Sequence, residues 1–455
     1  MLIISVGATI HVPKDYNDIQ VALDHAHDGD IIVISSGYYK GFTVSKSVTI
    51  IGESYESVII RGTIVISASN VKISNVKVVL NESTGGSTAV IIKGLNTVLT
   101  NIAVESYRYG VQVGTAVGGA GAVIEYSSIR SDREAVFGSC ESLSIFHSVI
   151  VSVNGNAVSY CGVMDIENNE IMSRGIGLRI GGSLSEGNIA RGNKITVAGD
   201  AAGIYVDGNK HLVMNNKLFN GGIEIRGGSN IIKYNFVAAS SIGINLVGNY
   251  NIVEDNIISA GDHAIDLYGS SNKILNNTLS GGRGIHGLNG NGNVIAFNFI
   301  NRTGNIGVYM SKYTSQNTIY GNTFWYCYNY DAADESGRNT WYNETIKLGN
   351  YWSNNKAPDL DGDGITDQPY HIATTTNLEI IDKYPLAKPL TTPNQIITTS
   401  RTPTSTPTAT LTLITQSSPS SEGEYTNTQA IFVAVILIGV LAILILIFRR
   451  SHRYS

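Results

Sequence analysis

Apolar and polar positions recur with a fixed period over most of the chain. One phrase, an Asn, any residue and a large apolar residue, returns every 19 to 24 residues: Asn169-Glu-Ile171, Asn193-Lys-Ile195, Asn216-Lys-Leu218, Asn235-Phe-Val237, Asn256-Ile-Ile258, Asn277-Thr-Leu279, Asn298-Phe-Ile300 and Asn322-Thr-Phe324. A second phrase, small-apolar-x-apolar, falls between its members: Gly203-Ile-Tyr-Val206, Gly222-Ile-Glu-Ile225, Gly243-Ile-Asn-Leu246, Ala264-Ile-Asp-Leu267, Gly284-Ile-His-Gly287 and Gly307-Val-Tyr-Met310. Alternation with period two marks strands with one buried face. A repeat of this length is one coil of a stacked array, and two or three strands per coil leave no room for a helix. The expected fold is all-β: a parallel β-helix whose coils lie about 4.8 Å apart. The recurring Asn has a mechanical reason, since it tolerates a left-handed turn and its amide can bond the Asn one coil away. These residues are read as scaffold and not as ligands.

The ends bound the array. Ile31–Ile34, Val48–Ile51, Val58–Ile60 and Ile64–Ile66 read as the first strands, with weaker repeats at Asn75 and Asn101. Ahead of them Tyr16 to Ala26 carries Ile19, Ala22, Leu23 and Ala26 at helical spacing, with N-caps within Asp15 to Asn17 and Gly29 as a stop. A short helix there caps the open strand edge. The β-helix is assigned to 9–345 and a closing block to 346–389; residues 1–8 read as the apolar remnant of a signal peptide. Residues 390–429 are Thr/Ser/Pro-rich without apolar periodicity, the composition of a disordered stalk. Residues 430–448 hold no charge and precede Arg449, Arg450 and Arg453. At 1.5 Å per residue they span about 28 Å, a single transmembrane helix with the basic tail 449–455 in the cytoplasm and the array outside the cell.

Composition adds exclusions. The net charge of −5 carries no basic footprint for nucleic acid. Three cysteines are too few for a disulfide scaffold, although Cys140 and Cys161 lie one coil apart and can either oxidise or pack. Asn81, Asn276, Asn301 and Asn343 head Asn-x-Ser/Thr sequons, which are candidate glycan sites but also arise by chance in an Asn-rich chain.

Near the C-terminal end, Asp359, Asp361 and Asp363 alternate, Gly364 permits a sharp turn, and Asp367 holds the ninth place of an EF-hand-like loop whose seventh is the Ile365 carbonyl. Tyr370 stands at the twelfth place, where a bidentate Glu is usual, so a structural Ca²⁺ of modest affinity is expected. A hydrated acidic loop accounts for the same residues.

Superposing the coils files the variable residues into columns. The first is Tyr205, Glu224, Asn245, Asp266, His286 and Tyr309; the next is Asp207, Arg226, Val247, Tyr268, Leu288 and Ser311. Tyrosines that stack on sugar rings, beside carboxylates and amides that bond hydroxyls, make this face a candidate for carbohydrate. An ordinary solvated sheet face explains it equally. Asp266 and His286 are expected to touch. Glu224 and Asp266, two coils and about 9–10 Å apart, stand near the upper limit for an inverting pair. Glu224, Asp266 and His286 are thus the only catalytic candidates. His147, His211, His263 and His371 share no metal-like spacing and read as surface or turn residues.

Thr9-Ile-His-Val-Pro-Lys-Asp-Tyr16, with Ile19, Gln20, Ala22, Ala26, Gly29-Asp-Ile-Ile-Val33 and Gly37-Tyr-Tyr39, resembles the opening of pectin-lyase-like β-helix proteins. The repeats resemble the NosD-like group of carbohydrate-binding and sugar-hydrolase (CASH) domains. Gly349-Asn-Tyr-Trp-Ser353, the Asp359–Asp367 run, Pro369-Tyr370 and Asp382-Lys-Tyr-Pro-Leu386 are similar to the block closing archaeal NosD-like surface proteins. The resemblance implies a right-handed, single-stranded parallel β-helix at the cell surface that binds polysaccharide or envelope components. It leaves two alternatives, a polysaccharide-degrading hydrolase or lyase and a copper-handling accessory. No Cys, His or Met cluster in the sequence carries copper over.

Overall fold

The computed structural model describes residues 7–84, 87–114 and 119–390. The stalk, membrane helix and tail assigned beyond 390, the first six residues and the side chains of Cys140 and Cys161 lie outside what is described. Among the described residues no helix is long and apolar enough to cross a membrane.

The chain winds as a right-handed parallel β-solenoid of about 15 turns with one short helix. Each coil supplies three short strands. In one coil these are Ile242–Val247, Ile252–Glu254 and Ile257–Ala260; in the next they are His263–Tyr268, Lys273–Leu275 and Thr278–Ser280. Each pairs in parallel with its counterpart one coil on. The third face is a 15-stranded sheet ending at Tyr351–Trp352, so it runs past the expected boundary at 345. The other two faces join where Val136–Phe146 and Val158–Glu167 turn a corner without a break.

Inward positions form files of branched aliphatics. Ile204, Ile223, Ile244, Ile265 and Ile285 are one such file, none more than 1% exposed. Each contributes roughly 1.5–3 kcal/mol over an exposed position. The helix spans Ile19–His25, shorter than the pattern suggested, and is capped by Asp18, whose carboxylate accepts the Gln20 N–H at 2.7 Å. Ile19, Ala22 and Leu23 are buried as the spacing required.

The Asn phrase forms a hydrogen-bonded ladder. Asn256 Oδ1 accepts the backbone N–H of Asn235 at 2.9 Å and its side-chain amide at 3.0 Å. Asn256 Nδ2 in turn donates to Asn277 Oδ1 at 3.0 Å and to the Ile232 carbonyl at 2.9 Å. The left-handed residue is the one before each ladder Asn, not the Asn itself: Tyr234, Asp255 and Phe297 have φ of 57, 56 and 59°. The ladder amide satisfies corner carbonyls that would otherwise be buried without donors, which offsets the roughly 1–2 kcal/mol of a left-handed bulky residue. Ser127 and Ser148 begin the same file upstream.

A second ladder, absent from the sequence reading, runs through Asn230, Asn251, Asn272, Asn293, Asn317 and Asn339. His211 holds one of its rungs, accepting the Asn188 N–H at Nδ1. It is therefore a core residue, 1% exposed, and not a surface one. Both ladders end on a carboxylate. Asn339 donates to Asp334, which also takes the Trp341 indole N–H; Asn350 donates to Asp382, which takes that of Trp352. Phe324, Trp352 and Tyr370 stack face to face over this end of the core.

Candidate active site

The first column stands in register as the spacing required. Tyr205 pairs with Glu224, then Asn245, Asp266, His286 and Tyr309 follow, each opposite the last. Upstream the file continues to Arg179. The second column breaks: Asp207, Arg226, Val247 and Tyr268 align, but Tyr268 pairs with Asn289 and not with Leu288. An extra residue after Gly287 bulges that strand and displaces Leu288.

The small residue of each phrase faces inward at a bend. A Cβ on Gly243 would stand 2.3 Å from Ile258 Cγ2. Ala264 and Ile265 are consequently both buried, two inward residues in succession. The outward phase shifts by one, and His263 emerges on the same face as Asp266 three positions later. Strict alternation would have put them on opposite faces, which is why His263 read as an isolated surface residue.

The bend assembles a two-by-two cluster, His263 and Asp266 on one coil and Arg283 and His286 on the next. Asp266 Oδ1 accepts from His263 Nδ1 at 2.7 Å and from His286 Nδ1 at 3.1 Å. Arg283 Nη1 lies 3.1 Å from His286 Nε2. Arginine only donates, so Nε2 carries the lone pair and His286 keeps its proton on Nδ1. Burial holds His263 below its ordinary pKa of 6.5, against the opposing pull of Asp266. The cluster thus brings together one guanidinium, one carboxylate and two imidazoles. Side-chain exposure is 8% for Asp266 and 12% for His286.

His286 opens into a groove of about 690 Å³, walled by Arg283, Tyr309, Ser311, Lys312, Tyr313 and Glu335. The guanidinium of Arg283 sits 5.4 Å from the Tyr309 ring centre. Glu335 accepts the hydroxyl of Thr375, which the closing block brings to the groove. A second recess on the same face, by Gln112, Glu134, Phe137 and Ser159, has Glu134 as its one ionisable wall. Chemistry is concentrated in the first.

Elsewhere on the face, charges are spoken for. Glu224 is bound to Arg226 at 2.7 Å, and Arg179 reaches Asp207 at 3.5 Å. Both arginines lie beside the Tyr205 ring. Asn245 Oδ1 is buried without a hydrogen-bond partner. His147 stacks on Tyr126 at a turn and His371 lies exposed by Glu379, as expected of turn and surface residues. In the closing block the ligand atoms of Asp359, Asp361 and Asp363 lie within 4.8 Å of one another. Their carboxylates accept N–H groups of the same loop, and Asp367 turns back to the Leu360 N–H.

Residues 221–357, which include the whole cluster, match the family model described as "Periplasmic copper-binding protein (NosD)". No curated protein matches the chain. Among solved structures the chain is similar to the Dettilon tailspike protein, at 16% identity over 73% of this chain and 70% of that one, TM-score 0.47. It is similar to a PL6 alginate lyase in complex with a trisaccharide, at 12% identity over 84% and 92%, TM-score 0.45. The catalytic unit of a GH87 α-1,3-glucanase from Streptomyces thermodiastaticus matches at 13% identity over 64% and 66%, TM-score 0.44.

Proposed function

We propose that this chain is a membrane-anchored, extracellular β-helix protein that binds polysaccharide or glycan-bearing envelope components along the Arg179–Tyr309 file. The observation that carries the reading is the groove, where Tyr309 and Tyr313 stand beside Ser311, Arg283, Lys312 and Glu335. Tyrosine rings pack on the apolar faces of sugars while convergent polar groups take the hydroxyls. Tyr313 is 63% exposed, so its ring is open to a ligand. Export and anchoring rest on the uncharged 430–448 segment and its basic flank.

Affinity electrophoresis of the purified protein through gels cast with a panel of polysaccharides tests this. Retardation by at least one polymer is expected, and Tyr309→Ala or Tyr313→Ala should relieve it. Migration unaffected by every polymer would end the reading.

Copper, named in the family description, would have to displace hydrogen bonds that the cluster already makes. His263, Asp266 and His286 offer three ligand atoms within 4.8 Å of one another. Ligation through His286 Nδ1 would move its proton to Nε2, which would then face the Arg283 N–H donor to donor across 3.1 Å. A cation would also add charge beside an existing guanidinium, and the cluster holds no sulfur ligand of the kind Cu(I) prefers.

We further propose that the Asp359–Asp367 loop holds a structural Ca²⁺ that ties the closing block to the last coil. Its support is the alternate spacing, the Gly364 turn at φ 88°, and the convergence of three carboxylates.

A further inference from the structure

We infer that the chain pairs with a second copy of itself through the third face of the solenoid, about a two-fold axis that runs along the direction in which the coils stack. The inference goes beyond carbohydrate binding and uses a different face from the groove.

Parallel pairing orders the outward side chains of this face into files. One file runs from Val151 through Met172, Phe219, Ala238 and Ser259 to Asn301, and it holds no charge over eight successive strands. The neighbouring file, two residues earlier in each strand, carries Glu170, Lys194 and Lys217 and then loses its charges at Phe236, Ile257 and Thr278. Glu170 and Lys194 neutralise one another at 2.7 Å. The first face is charged over the same coils, at Glu224, Arg226, Asp266 and Arg283. Solvated surfaces carry roughly one charged residue in four, so a file of this length should hold about two. The core does not demand their absence, because these side chains point away from it. Phe236 and Ile257 are 38% and 39% exposed, and Tyr234 at the adjoining corner is 51% exposed. A bare apolar sheet face of this kind calls for a partner.

The side chains fit a copy of the same face. In two successive coils the outward pair is one large and one small residue, Phe236 with Ala238 and Ile257 with Ser259. A two-fold axis along the stacking direction turns each file onto the other. Phe236 then meets the second copy's Ala238 and Ile257 its Ser259, so large fills small in both coils. An axis across the strands would set Phe236 against Ile257 and leave Ala238 facing Ser259 over a gap. Size agrees as well: strands about 13 Å long, eight of them about 4.8 Å apart, give about 500 Å² per copy and about 1,000 Å² in all, where specific interfaces begin.

The test uses the full chain in detergent, made in a host without N-glycosylation because Asn301 heads a sequon at the end of the file. Light scattering should report a dimer. Phe236→Asp should raise its dissociation constant at least about tenfold, since the carboxylate would be buried without a partner. Circular dichroism checks that this exposed substitution leaves the fold intact. Packed sheets lie about 10 Å apart, so a bis-maleimide of that reach should join Ser259→Cys copy to copy, giving a band that wild type lacks. Asn249→Cys, exposed at another corner of the same coil, should give no such band. A monomeric wild type would overturn the inference. A dimer that survives Phe236→Asp would also overturn it, because the contact would then lie elsewhere, as would equal cross-linking at Asn249→Cys and Ser259→Cys.

Discussion

Asn350 donates its backbone N–H to Asp382 Oδ2 at 2.7 Å, so a carboxylate from the closing block ends the ladder that amides build through the core. The Trp352 indole reaches the same oxygen at 3.0 Å. Closure therefore joins two things a solenoid end lacks: partners for the last ladder donors and an apolar lid over the last coil.

Burial lifts the Asp382 carboxyl from its ordinary 3.8 to about 6, against the pull of its N–H donors. The folded state thus holds this proton more tightly than the unfolded chain. The stabilisation is complete below the unfolded value and disappears as pH rises through about 6. A rise from 3.8 to about 6 is worth at most roughly 3 kcal/mol. His211 and His263, held below 6.5 by burial, contribute with the opposite sign, losing stability as pH falls. The informative quantity is therefore the difference between Asp382→Asn and wild type. Thermal melts should show Asp382→Asn gaining on wild type between pH 4.5 and 7.5; a pH-independent difference would refute the account.

Removing one rung of a ladder should be expensive. Asn256→Ala takes from the Asn235 backbone N–H, from one of the two Asn235 side-chain N–H donors and from the Ile232 carbonyl the bond each makes to Asn256 in the core. At 1–3 kcal/mol per orphaned group, partly relieved by relaxation, a loss of roughly 3 kcal/mol is expected in denaturant melts. Exposed Asn249, whose side chain bonds only the Ser270 N–H among the described residues, should change by about 0.5 kcal/mol or less as Asn249→Ala. Equal losses at the two sites would show that the ladder is incidental.

Glycines stack at one corner of successive coils. Gly248 has φ of 145°, and a Cβ there would lie 1.9 Å from the Gly227 carbonyl oxygen. Gly227 and Gly269 stand in the same relation to their own neighbours. Gly248→Ala should cost more than about 3 kcal/mol, since the obstruction is backbone and cannot rotate away. Wild-type stability in that variant, read by the same melts, would mean that the coils can separate at this corner.

Chelation tests the Asp-rich loop. Ca²⁺ should raise the melting temperature of the purified protein, and a chelator should reverse the gain. Asp361→Asn should weaken Ca²⁺ binding by about tenfold in titration calorimetry, because affinity in such loops follows the number of charged ligands. A melting temperature indifferent to Ca²⁺ and chelator would leave the loop a hydrated acidic turn.

Much of the scaffold was legible. The Asn169–Asn322 phrase named its ladder because one amide per coil must meet the next, and intervals near 21 residues reported this directly. The second ladder uses the same phrase, as in Asn251-Ile-Val253 and Asn272-Lys-Ile274, but its continuity is broken by His211. The column through Glu224, Asp266 and His286 was legible for the same reason. The Leu288 position was not, because a single-residue bulge changes register without changing composition.

Coil length, strand identity, the inward aliphatic files and the Tyr205-to-Tyr309 column are fixed by the order of residues alone, since each depends on contact between a position and its equivalent one coil away. The site depends on something else. His263 and Arg283 reach Asp266 and His286 only because the chain bends at a small inward residue, and the closing block brings Thr375 to Glu335 from a segment outside the repeat. Periodicity records the spacing along a file. It holds no record of a bend that moves a neighbouring residue onto that file, and here the bend sets His263 and Arg283 beside Asp266 and His286.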